Sequence, residues 1–316
     1  MSEPLSRPLS RPLSAAELCD AMRRARAFDA SRLDRILRVD ETRGLVEVQG
    51  SATWRSLAAR LRPQDPAAGA VRTTMPTVGE SIARNAAGPD GRPAVIHVES
   101  LALVTPDGEL RRVSRQGNSE LFALAVGGQG MFGVPYSVTL RIESLARAVS
   151  DALPASHRGA PGTPTPGRSL QLLVPPEALE RFIAAAQERC AEWRVAIEDL
   201  AVRRTLQEQE TFLRWARRDY AEVGLRLGGT ATLGGSLKAT QLRQALIDAA
   251  IAAGGAFHIS CTPEATRAQT EACYPQLRRF IAEKRRFDRD ERLVNPWYCR
   301  QRSLLGREPC ESRWTN

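Results

Sequence analysis

The chain has 316 residues, 42% apolar and 26% charged, enough for about two domains of 100 to 200 residues each and unlike a disordered, collagenous or fibrous composition. The net charge of +9 is almost wholly arginine, since Lys238 and Lys284 are the only lysines among 45 basic residues. The arginines are scattered along an Ala-rich chain, not gathered in a block, which argues against a specific nucleic-acid partner.

From the N-terminus, Pro4 to Ser14 repeats Pro-Leu-Ser-Arg in place of a secretory signal. Ala15 to Ala27 reads as a helix running into Phe28 and Asp34-Arg35-Ile36-Leu37. Leu45 to Gln49 and Val95 to Val104 read as strands, and Pro106-Asp107-Gly108 is a turn that pairs the second with Leu110 to Val113 as a hairpin. Ser119 to Val126 is a short helix. Beyond a glycine cluster, Val138, Leu140 and Ile142 alternate with Thr139 and Arg141 as in a half-buried strand. Residues 1–150 are therefore expected to form one α+β domain.

Four prolines and three glycines between Leu153 and Arg168 exclude a helix or a central strand, so 151–168 is expected to be a linker. Then follow strand Leu170 to Val174, helix Pro176 to Arg189, strands Val195 to Val202 and Val223 to Leu227, helix Thr240 to Ala252 and strand Ala256 to Ser260. That β-α-β-β-α-β order is ferredoxin-like and assigns 169–262 to a second domain. Residues 263–316 read as mostly helical to Lys284, with an Arg-rich tail beyond. No apolar run approaches the roughly 18 residues of a membrane span. The six cysteines and three histidines have no metal-ligand spacing, so a cytoplasmic protein without structural zinc is expected.

Two segments are candidates for chemistry. Gly128-Gln129-Gly130-Met131-Phe132-Gly133 fits GxGxxG, but a helix precedes it and a strand follows it, the reverse of a dinucleotide fingerprint. What remains is a turn whose backbone lets a flat ligand approach closely. Pro76 to Gly88 carries small residues at Gly79, Ser81, Ala83, Ala86, Ala87 and Gly88; it reads either as a compact turn entering a short helix or as an anion-binding nest. Glu210, Trp215, Arg217, Arg218 and Tyr220 form a polar-aromatic stretch that reads as a solvated helix face or a substrate surface. His258 and Cys261 are the titratable side chains near the last strand of the second domain.

Taken in order, Trp54-Arg55-Ser56-Leu57, Thr77-Val78-Gly79, Val98 to Gly108, Glu120-Leu121-Phe122 and Gly127 to Val134 resemble the PCMH-type flavin-binding domain of the vanillyl-alcohol-oxidase family of FAD-linked oxidases, over about residues 32–143. Tyr274-Pro275-Gln276-Leu277, Phe280, Lys284 to Asp288 and Trp297-Tyr298 resemble the C-terminal signature of the subgroup that includes decaprenylphosphoryl-ribose oxidase. The resemblance implies a two-domain α+β protein with a ferredoxin-like substrate cap and non-covalently held FAD. It implies cofactor contacts at Thr77, Val78, Gly79, Ser81, Asn85, Gly88, Gly130, Gly133 and Val134. The implied activity is oxidation of a CH–OH group, such as that of a sugar or sugar alcohol, by hydride transfer to flavin, with an electron acceptor still to be named.

The chain departs from that pattern at three places. The family's early Arg-Gly-x-Gly-x-Ser phosphate turn has no counterpart between Ala15 and Leu37, Glu80 replaces the second glycine of Thr-Val-Gly-Gly, and Ala87 and Cys261-Thr262 stand where a histidine and a Tyr-His pair are usual. A second reading is therefore a degenerate member that binds FAD weakly or not at all and acts as a binding or accessory protein.

Overall fold

The computed structural model describes residues 9–24, 27–61, 77–88, 90–143, 169–228 and 233–306; the expected linker 151–168 lies outside them. The N-terminal sheet contains β1 (Ile36–Asp40), β2 (Leu45–Gln49), β3 (Val98–Val104), β4 (Leu110–Ser114) and β5 (Val134–Arg141) in the order β1-β2-β5-β3-β4, every pair antiparallel. Alternation decides its core face. Val46 and Val48 lie opposite Leu140 and Val138, Leu101 lies opposite Val113 and Val138, and all are buried. Asp107 closes the β3–β4 turn by accepting from the Thr105 hydroxyl at 2.6 Å, and Gly108 supplies the left-handed backbone at φ +80.

Local expectations shift at two places. The strand expected from Val95 begins at Val98, after a 3-10 turn over Ala94–His97, because the Val95 N–H is drawn to Asn85 Oδ1 at 2.9 Å. Helix α1 (Ala15–Arg23) ends four residues before Ala27, and α2 (Trp54–Leu61) follows β2. Cys19 and Arg23 of α1 pack so tightly on the β3–β4 turn that Gly108 has no room for a side chain.

The second domain has β6 (Ser169–Val174), β7 (Ile197–Thr205), β8 (Tyr220–Leu227) and β9 (Ala256–Phe257) in the order β7-β8-β6-β9. That is the antiparallel arrangement of the expected ferredoxin-like unit. Its helices are Leu179–Glu192 and Leu233–Ala252, which bury Phe182, Ala186, Leu242, Leu246 and Ala250. The last strand is shorter than Ala256 to Ser260. The Ile259 N–H is taken by the Tyr274 hydroxyl at 3.2 Å and the Cys261 N–H by the His258 carbonyl at 3.0 Å, which turns the chain out of the sheet.

Helices Arg267–Cys273, Leu277–Phe287 and Pro296–Leu304 return to the first domain. Phe280 meets Phe132 edge-on at 5.2 Å, with Phe212 and Trp297 each at 6.0 Å, so one aromatic cluster joins both domains and the C-terminal segment. Lys284 and Asp288 form a fully buried ion pair beside it, with the ammonium over the Tyr298 ring.

Candidate functional site at the seam between the domains

The segment after Pro76 folds as a short helix, α3 (Val78–Arg84), between a Thr77 N-cap and an Asn85 C-cap in the left-handed conformation at φ 50. Thr77 Oγ1 accepts from the Glu80 N–H at 3.2 Å. The Val78 N–H goes to the Ala52 carbonyl, the Gly79 N–H to the Gly50 carbonyl at 2.7 Å and the Ser81 N–H to the Thr77 carbonyl. Gly79 is glycine because a Cβ there would lie 2.6 Å from the Gly50 oxygen. The Ser81 hydroxyl donates to the Thr77 carbonyl and accepts from Trp54 Nε1 at 2.7 Å.

Asn85 is wholly buried. Its Oδ1 holds Val95, its Nδ2 reaches Glu208 Oε1 at 3.4 Å, and its carbonyl accepts from Trp215 Nε1 at 3.1 Å. The Gly88 N–H bonds to the Arg92 carbonyl at 2.8 Å. In the second segment the Gly127 and Gln129 N–H groups bond to the carbonyls of Ile82 and Ala83, so the two candidate segments are stitched to each other. Gly133 packs against Leu103 and Val104, where a Cβ would sit 2.6 Å from Leu103 Cγ. Val134 opens β5 opposite Val104. Gly130, at φ +74, has no heavy atom within 4 Å of the Cβ position; of the glycines in the two segments it leaves open space.

The stretch expected as a solvated helix face is a loop clamped onto the first domain. Glu210 pairs with Arg115, whose guanidinium also donates to the carbonyls of Val95 and Val98. The Phe212 N–H bonds to the Ala123 carbonyl at 2.8 Å. Trp215 is 2% exposed and lies against the His258 ring at a centroid distance of 4.6 Å.

Behind Trp215 the cap sheet contributes a buried polar set that sequence reading missed. Glu222 of β8 accepts two hydrogen bonds from Arg203 of β7, both at 2.8 Å, and one from the Thr205 hydroxyl at 3.3 Å. The missed signal was an acidic residue at an inward position of the apolar strand Tyr220–Leu227. Burial pushes the Glu222 carboxyl up, and the Arg203 guanidinium with these hydrogen bonds more than offsets it, so the group stays below its ordinary value. Burial lowers the His258 imidazole to about 4; Glu222 opposes this, while Arg203 and Arg84 add to it. His258 Nδ1 lies 2.7 Å from the Ser260 hydroxyl. Burial raises the Cys261 thiol, against the pull of Arg84.

Arg84 of α3 pairs with Glu80 at 3.6 Å, and its charge is felt by His258 and Cys261 of the cap. The seam has Glu80, Ala83 and Arg84 of α3 half-buried, with Ala87 half-buried beyond the C-cap, and Ser260 and Cys261 half-buried after the last cap strand. It offers paired charges, a neutral imidazole and a hydroxyl, suited to binding and orienting a polar small molecule.

Against the FAD that the resemblance implies, the fit is divided. For a flat ring the close approaches on offer are the half-buried methyls of Ala83 and Ala87 and the open space at Gly130. A pyrophosphate does not fit the described residues of α3: the four N–H groups of its first turn already have partners, and Glu80 stands in that turn.

A family model described as FAD binding domain matches residues 11–114. A curated protein of Rhodococcoides fascians, called "Uncharacterized oxidoreductase ORF5 in fasciation locus", is 43% identical over 53 residues, 17% of this chain and 12% of that protein's length. The matched region holds β1 to β4 and α3, and so the earlier of the segments that resemble a flavin-binding domain, while Glu120 to Phe122 and Gly127 to Val134 lie beyond it; FAD is what such a domain binds. Residues 11–114 are thus similar to an FAD binding domain, and the chain spans about an eighth of the length of the curated oxidoreductase it matches.

Proposed function

We propose that the chain serves FAD-dependent oxidation of a small molecule bearing a CH–OH group, such as a sugar or sugar alcohol, bound at the seam between α3 and the cap sheet, in the manner of the subgroup that includes decaprenylphosphoryl-ribose oxidase. The observation that carries this reading is the convergence of Arg84 from the flavin-type domain with Glu222, Arg203, His258 and Ser260 from the cap. A neutral imidazole accepts or donates a hydrogen bond without adding charge, the Arg203–Glu222 pair fixes the sheet side of the seam, and Trp215 covers His258 and ties the cap loop to Asn85.

The second reading, a family member acting as a binding or accessory protein, is favoured by a different observation: the N–H groups of α3 that a phosphate would use are bonded within the fold. The visible spectrum of the purified chain after incubation with excess FAD and desalting separates the two. A retained flavin band that bleaches anaerobically with a polyol supports the first; a folded, colourless protein supports the second.

A further inference from the structure

We infer that two copies of this chain associate through β7, the edge strand of the cap, in one antiparallel register centred on Ala201. The partner is a second copy, recognised by backbone hydrogen bonds and by a side-chain pattern that is its own complement.

Among the described strands β7 is outermost in the order β7-β8-β6-β9, and its middle is open: Ala201 and Val202, which point to opposite faces, are both exposed. A Cβ on Gly91 would collide with the Arg204 oxygen, so that carbonyl faces outward, away from β8. By alternation the N–H and C=O groups of Leu200 and Val202 face outward as well. Gly91 covers the edge from Arg204 onward, its own carbonyl taking the Leu206 N–H at 2.7 Å. At the other end a bulge lies between Ile197 and Asp199, a feature that terminates pairing. The stretch left for a partner is Asp199 to Arg203, with Ala201 at its midpoint.

Antiparallel pairing about Ala201 matches the two copies on both faces. On the face of helix Leu179–Glu192, Leu200 lines a groove of about 460 Å³ with Cys190, Ala191 and Val195, and there it meets Val202 of the second copy, a side chain 42% exposed in one chain alone. On the face of the seam, Asp199 meets Arg203 of the second copy. Arg203 gives Nε and Nη2 to Glu222, is 39% exposed, and keeps Nη1 for a second carboxylate. Two-fold symmetry makes each contact twice. Sliding the register by two residues sets Asp199 or Arg203 opposite Ala201 and leaves the charges unpaired. In the centred register, Asp199 of the second copy reaches the Arg203–Glu222 pair behind the seam, so association bears on the candidate site.

Sedimentation velocity of the full chain over about 1 to 100 µM should show a dimer that gains with concentration. A monomer throughout, as when another segment of this chain covers β7, overturns the inference. Asp199→Lys sets a like charge against Arg203 and should weaken association by about tenfold or more; an unchanged dimer overturns it. Cysteine pairing under mild oxidant reads the register, with the unsubstituted chain as control. In Ala201→Cys the two thiols face each other across the two-fold axis and should give a cross-linked dimer on a non-reducing gel, whereas in Val202→Cys each thiol lies opposite Leu200 and should not. Equal cross-linking of both variants, or of neither, overturns the register. All three positions are half-buried or exposed, and circular-dichroism melts establish that each variant is folded before it is compared.

Discussion

The indole of Trp215 lies against the imidazole of His258, centroids 4.6 Å apart, while its Nε1 donates to the carbonyl of Asn85 at 3.1 Å. One side chain of the cap loop thus connects the end of the last cap strand to the C-cap of α3. Trp215→Phe keeps an aromatic ring but leaves the buried Asn85 carbonyl without this donor, and is expected to cost about 1–3 kcal/mol. Trp215→Ala also opens a cavity and is expected to cost about 3–5 kcal/mol. Urea unfolding of the two variants checks the order.

His258 makes stability depend on pH. Its folded-state value of about 4 lies below the ordinary 6.5 of an unfolded imidazole, so between these values the unfolded chain binds the extra proton. Stability therefore falls as pH drops from 6.5 towards 4, by up to about 3 kcal/mol from this group. Glu222, whose carboxyl is held down, acts in the same sense at lower pH. In His258→Gln the slope between pH 4 and 6.5 should flatten, with the acid limb below it retained, as read from urea midpoints across that range.

The Arg203–Glu222 pair is asymmetric: the Glu222 side chain is 4% exposed and that of Arg203 39%. Arg203→Met leaves a buried carboxylate without its cation and is expected to cost about 3–5 kcal/mol at neutral pH. Burial, then unopposed, raises the carboxyl, so the deficit shrinks as pH falls. Glu222→Gln leaves a guanidinium that water reaches, and should cost about 1–2 kcal/mol. Equal losses in the two variants at pH 7 would contradict this account.

Two glycines of the candidate segments should respond differently. Gly79→Ala puts a methyl 2.6 Å from the Gly50 oxygen and is expected to destabilise the fold by about 1–3 kcal/mol. Gly130→Ala meets no neighbour and costs only its left-handed backbone, about 1–2 kcal/mol, which Gly130→Asn should largely recover. Thermal melts of the three variants decide this. They also identify Gly130 as the glycine at which flavin retention can be probed without disturbing the fold.

Much of the architecture is written locally. The alternation of Val46 and Val48, the Pro106-Asp107-Gly108 turn and the β-α-β-β-α-β order with its apolar helix faces determined the sheets and the cap, because period and turn chemistry act over a few residues. The glycines of both candidate segments were legible as sites of close approach. What approaches them was not: Gly79 meets Gly50 and Gly133 meets Leu103, partners tens of residues away. Tertiary structure alone turned the stretch from Glu210 to Tyr220 from a solvated face into a clamp, by setting Trp215 on Asn85 across 130 positions of chain. It likewise brought Arg84 near His258 and set Glu222 against Arg203. A buried charge persists only where its partner is packed beside it, and the Arg203–Glu222 pairing exists only once β7 and β8 have joined in register.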